Sequence, residues 1–147
     1  MRKRTQAREC ALQILYQLEM NPAPVEEVIR SFWAENSESS EDIRAFAEML
    51  VRGSLEHRDE IDRIVLKATE NWQLDRMAVI DRSILRFSTY ELLYVEDILR
   101  KVTINEAVNL AKKFSQEESG KFVNGVLDKI NHTEKSRTAT GHDKPLS

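Results

Sequence analysis

Apolar residues recur every three to four positions along most of this 147-residue chain, the period of helices with one buried face. Ala7, Cys10, Ala11, Ile14 and Leu18 predict a first helix over about residues 5–19. A second stripe, Arg8, Leu12 and Tyr16, steps by four and lies well around the wheel from the first. An apolar pair aligned with an arginine outside the core stripe suggests a partner surface; burial of the helix on two sides is the alternative. Asn21-Pro22-Ala23-Pro24 ends the helix, because each proline bars helical geometry in the residue before it. Val25, Val28, Ile29, Phe32 and Trp33 carry a second helix, and the polar run 36–40 reads as a loop. Ile43, Phe46, Ala47, Leu50 and Val51 carry a third over 41–56, and Ile61, Ile64, Val65 and Ala68 a fourth over 59–70. A short connection containing Trp72 follows at 71–75.

Residues 77–95 differ. Met77, Ala78, Ile80, Ile84, Leu85, Phe87, Leu92 and Tyr94 wrap most of the wheel, leaving a narrow polar arc around Arg82 and Arg86. A helix apolar nearly all round has neighbours on several sides, so this one is expected to be the spine. Thr103-Ile104-Asn105-Glu106 has the pattern of a capping box and is expected to open a helix carrying Ile104, Ala107, Val108, Ala111 and Phe114. A last helix, from 119 or 120 to about 131, carries Phe122, Val123, Val126, Leu127 and Ile130. Residues 132–147 are short of apolar side chains and expected to be disordered. Four Gly and three Pro leave little material for the turns of an all-β fold. The expectation is all-α: one helical domain over 1–131 with a basic N-terminal segment, followed by a polar tail.

Cys10 is the single cysteine, which excludes an internal disulfide and a multi-cysteine zinc site. It also fits a reducing compartment. No apolar run approaches the ~18 residues of a membrane span, and no apolar stretch follows the N-terminal charges as in a secretory signal. A cytoplasmic protein that does not enter membranes is expected.

Net charge is −3, but residues 1–8 sum to +4 and residues 19–62 to −8. A basic end opposite an acidic middle suits an anionic polymer held on one side only; an incidental basic end is the alternative. His57, His132 and His142 are far apart and form no helical ligand pair. Cys10 sits on a core stripe, where a thiol is inert. Asp75 and Asp81, with Arg76 and Arg82, read as solvated edges or partner salt bridges. Neither an enzyme, a cofactor nor a metal is expected.

Recognition remains. Lys121, Asn124 and Asp128 share one side of the last helix, with Phe122 at the boundary of the core. Single-stranded RNA is held by aromatic stacking, amide contacts to base edges and cations on phosphates, and these residues supply all three. Gly125, which costs about 1 kcal/mol relative to Ala inside a helix, would let a nucleotide approach the backbone. The alternative is a core Phe122 and a Gly125 that packs against another helix.

Four segments then resemble one family: ARECALQILYQ (7–17), DRSILRFSTYELLY (81–94), VTINEAVNLAKKF (102–114) and SGKFVNGVLDKI (119–130). In order and spacing, over residues 4–130, the chain resembles the bacterial transcription antitermination factor NusB family. The resemblance implies a fold of about seven helices in two packed three-helix-like subdomains, and a role without catalysis. It implies pairing with the ribosomal protein NusE and binding of the boxA element of ribosomal RNA operon leaders. It further implies loading onto RNA polymerase to suppress premature, Rho-dependent termination. Carried over by motif, Lys3, Arg4, Arg8, Tyr16, Lys121, Phe122 and Asn124 face the RNA, with Glu118 at the margin, and Asp75, Arg76 and Asp81 face NusE.

This chain has Ile98-Leu99 where the family usually reads Ile-Pro, which implies a less rigid turn, and its N-terminal arm is short. The same helical domain resembles the N-terminal part of ribosomal RNA cytosine methyltransferases. A catalytic domain with a glycine motif and catalytic cysteines follows it there. With one cysteine and no such motif, a free-standing adaptor is expected here. A helical scaffold without an RNA role would leave the basic arm and the Lys121–Asn124 face without a purpose. Some family members self-associate through the RNA-side surface, so a homodimer is among the expected assemblies.

Overall fold

The computed structural model describes residues 2–70 and 74–137, and among these it holds seven α-helices and no strand. They are α1 (Lys3–Met20), α2 (Val25–Glu35), α3 (Glu41–Glu56), α4 (Arg58–Ala68), α5 (Val79–Tyr94), α6 (Arg100–Phe114) and α7 (Glu117–Thr133), with a 3-10 turn, Leu74–Arg76, before α5. α1 packs on α2 and α3, forming one group; α6 and α7 pack on each other and on α5, with α4 against α5 and α7. α5 also touches α1 and α3 and joins the two groups, as its nearly all-round apolar wheel requires. Ile84, Leu85, Phe87, Leu92 and Leu93 on this helix are all fully buried.

Local signals set some boundaries. Ser40 caps α3, its side chain accepting the Ile43 N–H at 3.4 Å. At the α3–α4 corner His57 alone separates the two helices. One turn earlier, Gly53 lets the Tyr90 ring of α5 lie where a Cβ would stand: an alanine Cβ would be 2.1 Å from the ring's Cζ. Tyr90 stacks on Tyr94 at 5.1 Å, and Tyr94 on His57 at 4.3 Å, between ring centres.

Three expectations are corrected. The capping box does not open α6, which begins at Arg100 with Leu99 as its N-cap. Instead Thr103 is buried and donates to Glu91 at 2.5 Å, while Glu106 accepts from Arg8 at 2.9 Å and from Thr5. Tertiary partners have taken both side chains of the box. Leu99 itself has φ −63°, within the range proline would impose. α7 starts at Glu117, two or three residues earlier than its pattern suggests.

Nor does order end at residue 131. Helix α7 continues to Thr133, and residues 134–137 lie against the body. The buried Arg100 donates to the carbonyls of Asn131 at 2.8 Å and Glu134 at 3.1 Å, satisfying acceptors that a helix C-terminus leaves open. The Arg137 N–H donates to the Leu93 carbonyl at 2.7 Å, and its guanidinium meets Glu60 and Glu134. The rest of the expected disordered tail, 138–147, and Trp72 lie outside the described residues. Among the described residues, no helix is long and apolar enough to cross a membrane.

Candidate nucleic-acid interface

The basic arm becomes the first turn of α1. Lys3 and Arg4 are exposed and form loose pairs with Asp42 at 3.4 Å and Asp97 at 3.7 Å. The Arg4 guanidinium lies 4.5 Å from the centre of the Phe46 ring. Exposed pairs of this kind contribute little, so both cations can exchange carboxylate for phosphate at small cost.

Arg8 does not belong with them. It is 3% exposed, and it grips the fully buried Glu91 with two bonds of 2.9 and 2.7 Å while a third nitrogen reaches Glu106. Burial favours loss of its proton, but hydrogen bonds and charge from Glu91 and Glu106 outweigh that and raise its pKa above the ordinary value. This correction has a simple cause. The first two positions of the second stripe, Arg8 and Leu12, are buried, with Arg8 bonded to Glu91 of α5 and Glu106 of α6. Of that stripe only Tyr16 reaches solvent, at 38%.

On α7 the inward set of Val123, Val126, Leu127 and Ile130 is buried, while Lys121, Asn124, Gly125 and Asp128 are exposed. Phe122 is half-buried and packs against the core edge. A Cβ at Gly125 would meet nothing within 4 Å among the described residues, so no helix packs there. The packing role for Gly125 is thereby contradicted among the described residues, while Phe122 does lean on the core, and the glycine leaves a bare patch of backbone beside an amide and a lysine. Glu118 is exposed in the first turn of the same helix.

The side expected to meet a protein partner splits. Asp75 and Arg76 are exposed on the 3-10 turn. Asp81 is corrected: it is 7% exposed in the first turn of α5, where peptide dipoles favour an anion, and accepts the Ser119 hydroxyl at 3.0 Å. It ties α5 to α7 instead of facing out. Beside it, Arg82 and Arg86 both hold Glu19 of α1, at 3.0 and 2.9 Å, and Arg86 grips Asp62 of α4 with two bonds. Their polar arc is therefore an ion-pair network inside the fold.

Cys10 is half-buried, and burial, with the nearby Glu9, pushes its thiol pKa up, the direction of an unreactive thiol. Among the described residues no group of three His, Cys, Asp or Glu side chains could hold a metal. One residue escaped the periodicity. Phe114, assigned inward on α6, is 37% exposed at the end of that helix, with the Lys113 ammonium 5.2 Å from its ring centre.

These features define a class: a helical binding protein with cations, amides and partly open aromatic rings on its outer faces. Residues 5–132 match the NusB family. The NusB antitermination proteins of Thermodesulfovibrio yellowstonii and Myxococcus xanthus are 48% and 50% identical over 137 and 133 residues. Those alignments cover 87% and 88% of this chain and 91% and 95% of the relatives. The solved structure of T. maritima NusB superposes with a TM-score of 0.82 at 36% identity, covering 89% of this chain and 92% of that one. A crystal structure of the antitermination factors NusB and NusE in complex with dsRNA gives 0.83 at 30% identity, covering 91% and 99%. The chain belongs to the NusB family of transcription antitermination proteins.

Proposed function

We propose that this chain is a non-enzymatic adaptor that pairs with NusE, binds boxA-type single-stranded RNA from ribosomal RNA operon leaders and joins the RNA polymerase antitermination complex. There it suppresses premature termination, and its place of work is the cytoplasm. The observation that carries this reading is the outer side of α7, where exposed Lys121 and Asn124 flank the half-buried Phe122 and the open backbone at Gly125. A cation for phosphate, an amide for a base edge and a ring edge for stacking are what single-stranded RNA requires. Lys3 and Arg4 extend the cationic surface, Tyr16 adds a ring, and Glu118 repels phosphate at the margin. Asp75 and Arg76 form the edge assigned to NusE. The related NusB–NusE complex with dsRNA supports NusE as the partner and RNA as the polymer.

The test is binding of a boxA-like RNA, with and without NusE, to the wild type and to Lys121→Ala and Asn124→Ala. Binding should be tighter with NusE and weaker in both variants. The Asn124→Ala protein should be no less stable, because Ala is the better helix former. No RNA binding in either condition would leave a protein scaffold and overturn the reading. Self-association through the same face would compete with RNA, so added RNA should dissociate any homodimer.

A further inference from the structure

We propose that Phe114 is a base-stacking platform for the RNA strand, with Lys113 as its phosphate contact; this rests on the reading of the α7 side as an RNA surface.

Phe114 is the last residue of α6, and it is 37% exposed although the helix buries Ala107, Leu110 and Ala111 just before it. A lone exposed phenylalanine needs no explanation. The surroundings of this one do. The Lys113 ammonium lies 5.2 Å from its ring centre and also pairs with Glu9 of α1 at 3.0 Å. That pair is half-exposed on the lysine side, so phosphate can take the place of the carboxylate. A partly exposed ring with a cation over it combines the two contacts that ssRNA sites use, stacking on an aromatic ring and positive charge for the backbone.

Its position joins the two segments already read as RNA-facing. Thr5 bonds Glu106, and Lys113 bonds Glu9, so the end of α6 is tied to the first half of α1. Phe114 follows Lys113, whose partner Glu9 stands seven residues before Tyr16, about 10 Å along α1 at 1.5 Å per residue. On the other side, the Lys112 side chain packs against Gly120, next to Lys121, and Ser115 bonds Ser119 at 3.0 Å. Phe114 thus stands between the exposed ring of α1 and the first turns of α7. In the proposed arrangement a strand held by Lys121 and Tyr16 crosses Phe114.

The test uses the NusE complex, boxA-like RNA and three variants. Phe114→Leu keeps the apolar bulk but has no π-face, and it should weaken RNA binding between about fivefold and a hundredfold with the melting temperature nearly unchanged. Phe114→Trp should keep most of the affinity, and its added fluorescence should be quenched on RNA binding, which a packing role would not produce. Lys121→Ala separates the two proposals. If it weakens binding while Phe114→Leu binds as wild type, the platform is overturned and the adaptor reading survives. Absence of RNA binding by the wild-type complex overturns both. If Phe114→Leu instead weakens association with NusE and leaves the RNA affinity of the assembled complex intact, Phe114 is a protein contact and the platform is again overturned.

Discussion

Two glycines in helix interiors should respond to the same substitution with opposite signs. Neither Gly53 nor Gly125 has a left-handed φ, so alanine is compatible with both backbones and gains about 0.8–1 kcal/mol of helix propensity. At Gly125 the new methyl meets nothing within 4 Å. The whole gain should appear, and at this chain length about 1 kcal/mol raises Tm by roughly 2–4 °C. At Gly53 the methyl would lie 2.1, 2.3 and 2.5 Å from three atoms of the Tyr90 ring. That ring is held in the stack with Tyr94 and His57, so it cannot swing aside freely. Overpacking of this kind costs about 1–3 kcal/mol, occasionally more, and so deep an overlap belongs at the upper end. The expected net for Gly53→Ala is a loss of about 2 kcal/mol after subtracting the propensity gain. Urea unfolding followed by far-ultraviolet circular dichroism measures both variants against wild type. Gly125→Ala should also bind boxA-like RNA more weakly, because the methyl covers the bare backbone. A destabilised Gly125→Ala protein would refute the open-space argument, and a Gly53→Ala protein as stable as wild type would refute the steric one.

Replacing Arg8 with Met leaves the Glu91 carboxylate buried without its guanidinium, which should cost about 3–5 kcal/mol in urea unfolding; adding Glu91→Leu should recover most of it, and a loss below about 1 kcal/mol would remove Arg8 from the core account. Changing Arg2, Lys3 and Arg4 together to Ala should flatten the slope of log affinity against log salt by about 2, at about 0.7 per phosphate contact, and weaken related and unrelated RNAs alike. An unchanged slope would make the arm a solvated end. Burial alone would raise the Glu19 pKa, but Arg82 and Arg86 outweigh it and hold the carboxyl below its ordinary value of 4.5. Its contribution is therefore present above pH 4.5 and lost as pH falls through the lower folded value. Glu19→Gln should flatten that acid arm of the stability profile, and an identical acid arm would contradict the sign.

The local signals in the sequence were sufficient for the existence of the helices, though not for the starts of α6 and α7. The proline pair after α1, the cap at Ser40 and the all-round apolar wheel of α5 act within one or two turns, so they are visible along the chain. Long-range pairing was not visible. Arg8 reads as an exposed cation because its partners lie 83 and 98 residues away, and Asp81 reads as a surface acid because Ser119 is 38 residues away. Thr103 and Glu106 have the spacing of a cap, but Glu91 and Arg8 compete for the same side chains and win. Phe114 fits the apolar period of α6, yet the helix ends there and the core does not extend under it. Lys121, Asn124 and Gly125 were legible because their neighbours on the wheel, Val123, Val126 and Leu127, leave them only one side.

The Arg8–Glu91–Glu106 junction also bears on the order in which the chain is assembled. At roughly 5–20 residues per second on the ribosome, Arg8 is made about 4–17 seconds before Glu91 is added. During that interval the N-terminal group, α1 to α3, can pack its apolar stripe, but it carries a guanidinium on a face destined for the interior. That face stays hydrated until α5 and α6 arrive, and closing so long a loop is entropically costly. Contacts of such sequence separation form slowly. The N-terminal half is thus kept from finishing early, and the seam that joins the two groups can close only when the second half of the chain has been made.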